Sequence, residues 1–555
     1  MNFVLRPRFI LVGILVFAFL VRIVGVGYGL PLWLFDDEPS LVTSALKMFE
    51  SKTLIPRLHQ EEFKQLLYYP PYFSYFLLAP FAVIIGIKYL LFSGAWAQFI
   101  NYLLVDASAF FITARLISII LGMMTIWLLY KTAKQIFQNE TPALASAFFL
   151  ASSITHINLS AFAIHWIPAT FFVSLGLWII TNKHFSFRKR YLLCALATGI
   201  GFGFSVMSVF AVLFIPLIYI FVDKKAPISA IKERVLYQAF FIFITLAIMP
   251  AIFNQNSFGF SSDTTIAGNA KTFIGILLSP LWFFKPMTLL EPILVVFAVI
   301  GLCMLLKKKK YSGYALVISA FLIFYAMAFY IGFRFEERFL APLIPTFSLA
   351  AGFGVFSLFS YAEKNKLALA VILIILSIPI AASIKLAWLK YRDDNRIQAR
   401  HWIEQNIAPN TKIITYANLT RIASIPSAVT EQESIDSVSL RRADKAERSI
   451  EKTYRDIPSF HALNLYTVGN AAFFGMLDKY IKQNDYQYLL MSAKPNDNMQ
   501  FYDTFEQLKE RAQPIAYFGK NNNLDYFTSG SIESIKKLFR AQSVGLPVIF
   551  YKLKK

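Results

Sequence analysis

The apolar residues of this 555-residue chain are gathered into runs of roughly 18 to 25, and runs of that length cross a hydrocarbon core about 30 Å thick. In lipid, every backbone amide and carbonyl must be satisfied internally, so such runs fold as helices. Hydrophobic residues make up 57% of the chain and charged residues only 16%, against about 25% charged in soluble domains. The chain therefore reads as an α-helical polytopic membrane protein.

Its net charge of +21 would suit nucleic acid if the basic residues formed one face. They fall instead in short loops between apolar runs, as at Arg188–Arg190 and Lys307–Lys310, the pattern of cytoplasmic loops. Nucleic acid is set aside as a partner; the lipid bilayer is the partner implied. Cys194 and Cys303 both lie in apolar runs and build neither a disulfide framework nor a zinc site. The first apolar run, Phe9 to Leu30, follows two arginines and has no Ala-x-Ala cleavage pattern, which predicts an uncleaved span with a cytoplasmic N-terminus.

Applied loop by loop, the charge rule places Asp36, Asp37 and Glu38 outside, and Lys131, Lys183 to Arg190, Lys224, Lys307 to Lys310 and Lys364 inside. This threading uses eleven spans, the last from Leu367 to Leu389. Two apolar stretches, Tyr72 to Phe92 and Phe273 to Phe284, suit interfacial or re-entrant segments or a full span, which gives about eleven to thirteen transmembrane helices. The expected organisation is a transmembrane domain over 1–389, with a first outer loop at about 31–107, and a soluble extracytoplasmic α/β domain over 390–555. In that tail, Ile397, His401, Trp402 and Ile403 share a helix face, Lys412 to Tyr416 alternates like a strand, and Tyr486 to Met491 and Val548 to Tyr551 also read as strands. A further helix is expected around Thr504 to Arg511. The setting is a plasma (inner) membrane.

Three clusters could carry chemistry. In Phe35-Asp36-Asp37-Glu38-Pro39, adjacent carboxylates repel one another and call for a metal, a cationic partner or a proton to accept. Pro39 suits a first helical turn, and carboxylates there gain from the helix dipole. A plain acidic cap at the membrane edge would look the same. Tyr68-Tyr69-Pro70-Pro71 forces an extended approach to the next apolar segment and reads either as a corner or as the wall of a substrate cavity. Arg334-Phe335-Glu336-Glu337-Arg338-Phe339-Leu340-Ala341-Pro342 puts two arginines on the side opposite to the basic loops. Arginine binds phosphate bidentately, although pairing with Glu336 and Glu337 is the other reading.

In their order and sidedness, these motifs, with a late Arg-Asp-Asp…Ala-Arg-His-Trp-Ile-Glu-Gln-Asn, resemble the GT-C glycosyltransferases of the protein O-mannosyltransferase and lipid A aminoarabinose transferase type. The resemblance implies a donor sugar on a polyprenyl or dolichyl phosphate and a lipid, glycan or protein hydroxyl as acceptor. It also implies inversion at the anomeric carbon with an Asp as general base. By register with a small residue eight positions on, here Ala45, that base is Asp37, with Asp36 in reserve and Glu38 orienting the acceptor or a metal. Arg338, then Arg334, Lys271 and Lys285, are expected to face the leaving phosphate. A divalent metal (Mg or Mn), if used, would fall to Asp37, Glu38 and His165.

The chain departs from the family pattern at three places. Tyr68 and Tyr69 stand where the aminoarabinose branch has a Glu-Lys pair. The loop at His165-Trp166 lacks an acidic residue, and Ser208 stands where relatives often carry Lys. His165 is a candidate for the cavity or, beside Trp166, a structural residue. Other readings are an oligosaccharide polymerase or ligase with a lipid-diphosphate donor, and a transporter or flippase. The transporter predicts paired broken helices and midplane polar residues. A membrane-anchored binding protein would place its function in the tail, which has no Gly-rich phosphate loop.

Overall fold

The computed structural model describes residues 6–32, 34, 37–59, 63, 71–96, 98–99, 103, 107–253, 272–332, 336–363, 365–417, 420, 422–436, 458–466, 468–493, 501–519, 523–524 and 532–554. The chain is a helical membrane protein with a small α/β unit at its C-terminal end.

Five described helical stretches are long and apolar enough to cross a membrane: Tyr72–Leu90, Ser108–Phe137, Arg234–Phe253, Glu337–Ala362 and Lys366–Asn406. The pair Glu140–Ser152 and Ile154–Ser160, bent by 58°, makes a sixth if counted as one broken span. Several predicted spans are thus shorter helices, among them Trp166–Thr181, Pro292–Lys307 and Pro7–Ile23. Hydropathy reports a run's length and not where its helix bends. Of the two stretches left as interfacial, re-entrant or a full span, Tyr72–Leu90 is a helix of spanning length.

Ile344–Ala362, with the turn that leads into it, is almost wholly buried and forms the centre of the bundle, whereas Arg234–Phe253 and Lys366–Tyr391 leave most of their apolar residues unburied by the rest of the protein. The central helix touches Pro292–Lys307 backbone to backbone. A Cβ on Gly301 would lie 1.9 Å from the Ala350 carbonyl oxygen, and one on Gly354 would lie 2.2 Å from that of Phe297. Small residues permit that approach, the usual route to tight packing where lipid is as apolar as the partner helix.

The bend at Ser153 frees carbonyls that need donors. Arg22, fully buried on Pro7–Ile23, donates to Ala151 O at 3.1 Å, and to His156 Nδ1 at 2.9 Å, while Ser383 Oγ donates to Ser152 O at 2.9 Å. The break is therefore a braced corner.

In the C-terminal unit the strands β1 (Lys412–Tyr416), β2 (His461–Asn464), β3 (Tyr488–Ser492), β4 (Ala512–Phe518), β5 (Asn523–Leu524), β6 (Ser543–Val544) and β7 (Val548–Leu553) make two sheets. The larger has the order β2-β1-β3-β7-β4. β1 runs parallel to β2 and β3, and β7 runs antiparallel to β3 and β4. Alternation along β1 sends Ile413 to a core with Ala399, Ile403 and Phe550, and Ile414 to one with Phe474, Leu477 and Phe505. The predicted tail helices are Asn395–Asn406 and Tyr502–Glu510.

This unit is seated on the turns that follow the first helix. Tyr28 Oη donates to Asp394 Oδ2 at 2.5 Å. Asp394 also accepts Arg396 Nε and Nη2 at 2.8 and 3.0 Å, and Asn395 Nδ2 donates to Gly545 O at 2.8 Å. Gly545 has φ 90°, and a Cβ there would lie 2.2 Å from the Asp394 carboxylate. Glycine is the residue that fits.

Candidate active site

Asp37 and Glu38 open the helix Asp37–Glu50. Leu41, Val42 and Ala45 on its inner face pack with Phe73, Leu77, Phe81 and Phe110, which fixes its N-terminus against the bundle. Ser74 Oγ adds a hydrogen bond to Leu41 O at 2.9 Å. The two carboxylates then divide.

Glu38 is fully buried. Its oxygens accept Arg115 Nε and Nη2, each at 2.6 Å, and Oε1 also accepts the Ala163 N–H at 2.6 Å. Arg115 Nη1 donates to the carbonyls of Val26 and Tyr28 at 2.7 Å each. A buried pair with both charges hydrogen-bonded is a fixture, and it ties the turns after the first helix to the acidic turn.

Asp37 meets the other key residue. Its carboxylate forms an ion pair with the guanidinium of Arg338, which also pairs with Glu336 at 2.5 Å. Asp37 and Arg338 side chains are only 12% and 14% exposed, so the contact is largely shielded from water. Arg338 lies in the 3₁₀ turn Glu337–Leu343 that leads into the central helix. The turn is held by Phe339, whose ring is 5.4 Å from that of Trp166 and whose carbonyl accepts Tyr325 Oη at 2.6 Å. The acidic turn after the first helix and the late loop therefore meet in one place.

The remaining candidates are distributed as follows. His165 is buried at the start of Trp166–Thr181, its ring 4.8 Å from Trp166 and thus beside the Arg338 turn. Pro71 is buried directly before Tyr72–Leu90 with φ −83° and ψ 0°. The extended conformation expected there is absent at Pro71, because the ring fixes φ alone and it is the residue before a proline that is pushed extended. Lys285 is exposed on Phe273–Leu290, its ammonium 5.7 Å from the Trp282 ring. Asp36, Arg334, Lys271, Tyr68, Tyr69 and Pro70 lie outside the described residues. Ser208 is buried in the turn Val206–Leu213.

A divalent metal does not fit the residues named for it. Both oxygens of Glu38 are committed to Arg115, and among the described residues no group of three His, Cys, Asp or Glu is gathered. Arg115 went unmarked in the sequence because it sits singly inside an apolar run. A lone arginine at that depth is itself the signal, since it demands a buried acceptor.

Residues 92–253 match the family described as dolichyl-phosphate-mannose-protein mannosyltransferase. The resemblance to GT-C glycosyltransferases holds. Among solved structures, the chain is similar to ArnT from Cupriavidus metallidurans bound to undecaprenyl phosphate, with 11% identity, a TM-score of 0.44 and 98% and 97% of the two chains covered. It is also similar to the oligosaccharyltransferase AglB from Archaeoglobus fulgidus in complex with an inhibitory peptide and a dolichol-phosphate, with 13% identity, a TM-score of 0.41 and 88% and 69% covered. Neither likeness assigns a role to a residue of this chain. No curated protein matches its sequence. The family match ends at Phe253, so it spans Arg115 and His165 but neither Asp37 nor Arg338.

Proposed function

We propose that this chain transfers a sugar from a polyprenyl or dolichyl phosphate carrier to a hydroxyl group of a lipid, glycan or protein at the outer membrane face. Residues 1–389 form the transferase domain, residues 390–555 an extracytoplasmic cover, and the membrane is the plasma membrane. The observation that carries the reading is the ion pair between Asp37 and Arg338, a base and a phosphate-binding group held together at the membrane's edge.

In the reaction, Asp37 accepts the proton of the acceptor hydroxyl. The oxygen attacks the anomeric carbon, the bond from that carbon to the phosphate oxygen breaks, and the polyprenyl phosphate departs with the electron pair, inverting the centre. The leaving phosphate gathers charge as the bond breaks, and a guanidinium in a shielded site is worth more to that charge than one in water. An arriving donor draws Arg338 from Asp37 to the phosphate and leaves the carboxylate to the acceptor. Glu38 holds the turn through Arg115, and His165 with Pro71 borders the cavity. No step is routed through a metal.

The test is incubation of the purified protein in lipid with a panel of polyprenyl-phosphate sugars, following released polyprenyl phosphate. Sugar-dependent release from at least one donor is expected. Translocation of the lipid-linked sugar across the bilayer without release would replace the transferase by a flippase.

A further inference from the structure

Glu533 has φ 62°, in the left-handed region that residues with a Cβ adopt only at a cost. The strain has a use. It turns the N–H groups of Ile532 and Glu533 toward one point, the arrangement of successive amides that binds an anion. The anion is Glu337: Ile532 N–H donates to its Oε2 at 2.7 Å and Glu533 N–H to its Oε1 at 2.5 Å. Immediately downstream, Ser534 Oγ caps the helix Ile535–Arg540 by accepting the Lys537 N–H at 3.2 Å.

The donor side of this contact is firmly placed. Ile532, Leu538, Ala541 and Val544 are buried in the same core as Leu386 and Leu389 of the last long helix. Ile535 closes a small cavity shared with Glu291, Pro292 and Pro379. The acceptor side is the residue directly before Arg338. Of two neighbouring carboxylates, Glu336 pairs with Arg338 and Glu337 with the tail.

Resting on the transferase reading, we infer that Glu337 is a positioning residue: by binding the Ile532–Glu533 amides it fixes the Glu337–Leu343 turn to the C-terminal unit and presents the Arg338 guanidinium to the donor phosphate. The C-terminal segment thereby becomes part of the donor site without touching the donor. Ordering the turn before the lipid arrives removes an entropy cost from binding.

Three variants of the full chain in lipid nanodiscs test this. Glu337→Ala removes the acceptor. Glu533→Pro removes one of the two N–H donors and cannot hold a positive φ, whereas Glu533→Gly keeps both donors and relieves the strain. Two readouts apply: amide hydrogen exchange over 336–343, with the β1 strand as an internal control, and affinity for undecaprenyl phosphate. E337A and E533P are expected to speed exchange over 336–343, leave β1 unchanged and weaken undecaprenyl phosphate binding on the order of tenfold, as for a lost charge-assisted bond. E533G is expected to match the wild type in both. Unchanged exchange over 336–343 in E337A, unchanged binding in that variant, or E533G as damaging as E533P overturns the inference. If the wild type fails to bind undecaprenyl phosphate at all, the transferase reading and the positioning role fall together, and exchange alone then decides whether the latch exists.

Discussion

The guanidinium of Arg338 lies against the carboxylate of Asp37, joining the first helix beyond the opening span to the turn before the bundle's central helix. Glu38, by contrast, has its carboxylate held by Arg115 and a backbone amide. Two adjacent acids thus have different tasks. One braces the turn, and the other faces a guanidinium that a phosphate could draw away.

Asp37→Asn tests the base. The amide keeps the shape of the side chain but cannot accept the acceptor's proton. Transfer should fall on the order of a hundredfold to ten-thousandfold, the usual worth of a general base. Thermal stability should change far less. Multiple-turnover release of polyprenyl phosphate is the measurement, and a variant that keeps full activity removes Asp37 from the chemistry.

Arg338→Ala and Arg338→Lys separate charge from geometry. Alanine removes both and should raise the donor KM about tenfold or more while leaving the acceptor KM near its wild-type value. Lysine restores the charge without the planar fork and should recover part of the loss. Equal effects on donor and acceptor would assign Arg338 to the structure of the turn and not to the phosphate.

Much of this arrangement was legible in the sequence, for physical reasons. Three carboxylates after an apolar run and two arginines on the side poor in basic residues are both costly, and each cost points to a counter-charge. The strand at Lys412–Tyr416 showed through its alternation, and that at Val548–Leu553 through its β-branched and aromatic residues. Three features stayed hidden. The bend at Ser153 lies inside one continuous apolar run, and the carbonyls it frees are satisfied by Arg22, remote in sequence. Arg115 reads as an isolated anomaly until Glu38 is placed beside it. Glu337 reads as a partner for its neighbouring arginines, and nothing near it in sequence announces the two amides near the C-terminus that donate to it.

The Glu38–Arg115 pair should behave as a buried fixture. Both side chains are fully enclosed. Arg115→Met alone strands a carboxylate and should destabilise the protein by about 3–5 kcal/mol. Adding Glu38→Gln removes the stranded charge, and the amide oxygen can still accept the Ala163 N–H. The double variant should therefore melt above Arg115→Met in detergent. If the two melt alike, the pair is not what holds the turn.

The C-terminal unit carries its own acid sensitivity. Glu431, on the helix Pro426–Ile435, accepts Tyr480 Oη at 2.5 Å and Tyr486 Oη at 2.6 Å, and pairs with His461 Nε2. Burial pushes its pKa up, but the bonds from Tyr480, Tyr486 and His461 outweigh burial and hold it below the usual carboxylate value of 4.5. The folded state therefore binds the Glu431 proton less readily than the unfolded chain does. Its contribution is complete above the unfolded pKa and is lost as pH falls through the folded one. Acidification below about pH 4.5 should loosen the contact between that helix and the β2 strand. Exchange at the amides of His461–Asn464, corrected for intrinsic rates, should rise over this range in the wild type. In Glu431→Gln, which has no carboxylate to titrate, protection should be weaker at neutral pH and nearly flat across the same window. An equally steep acid response in that variant would place the sensitivity on other groups.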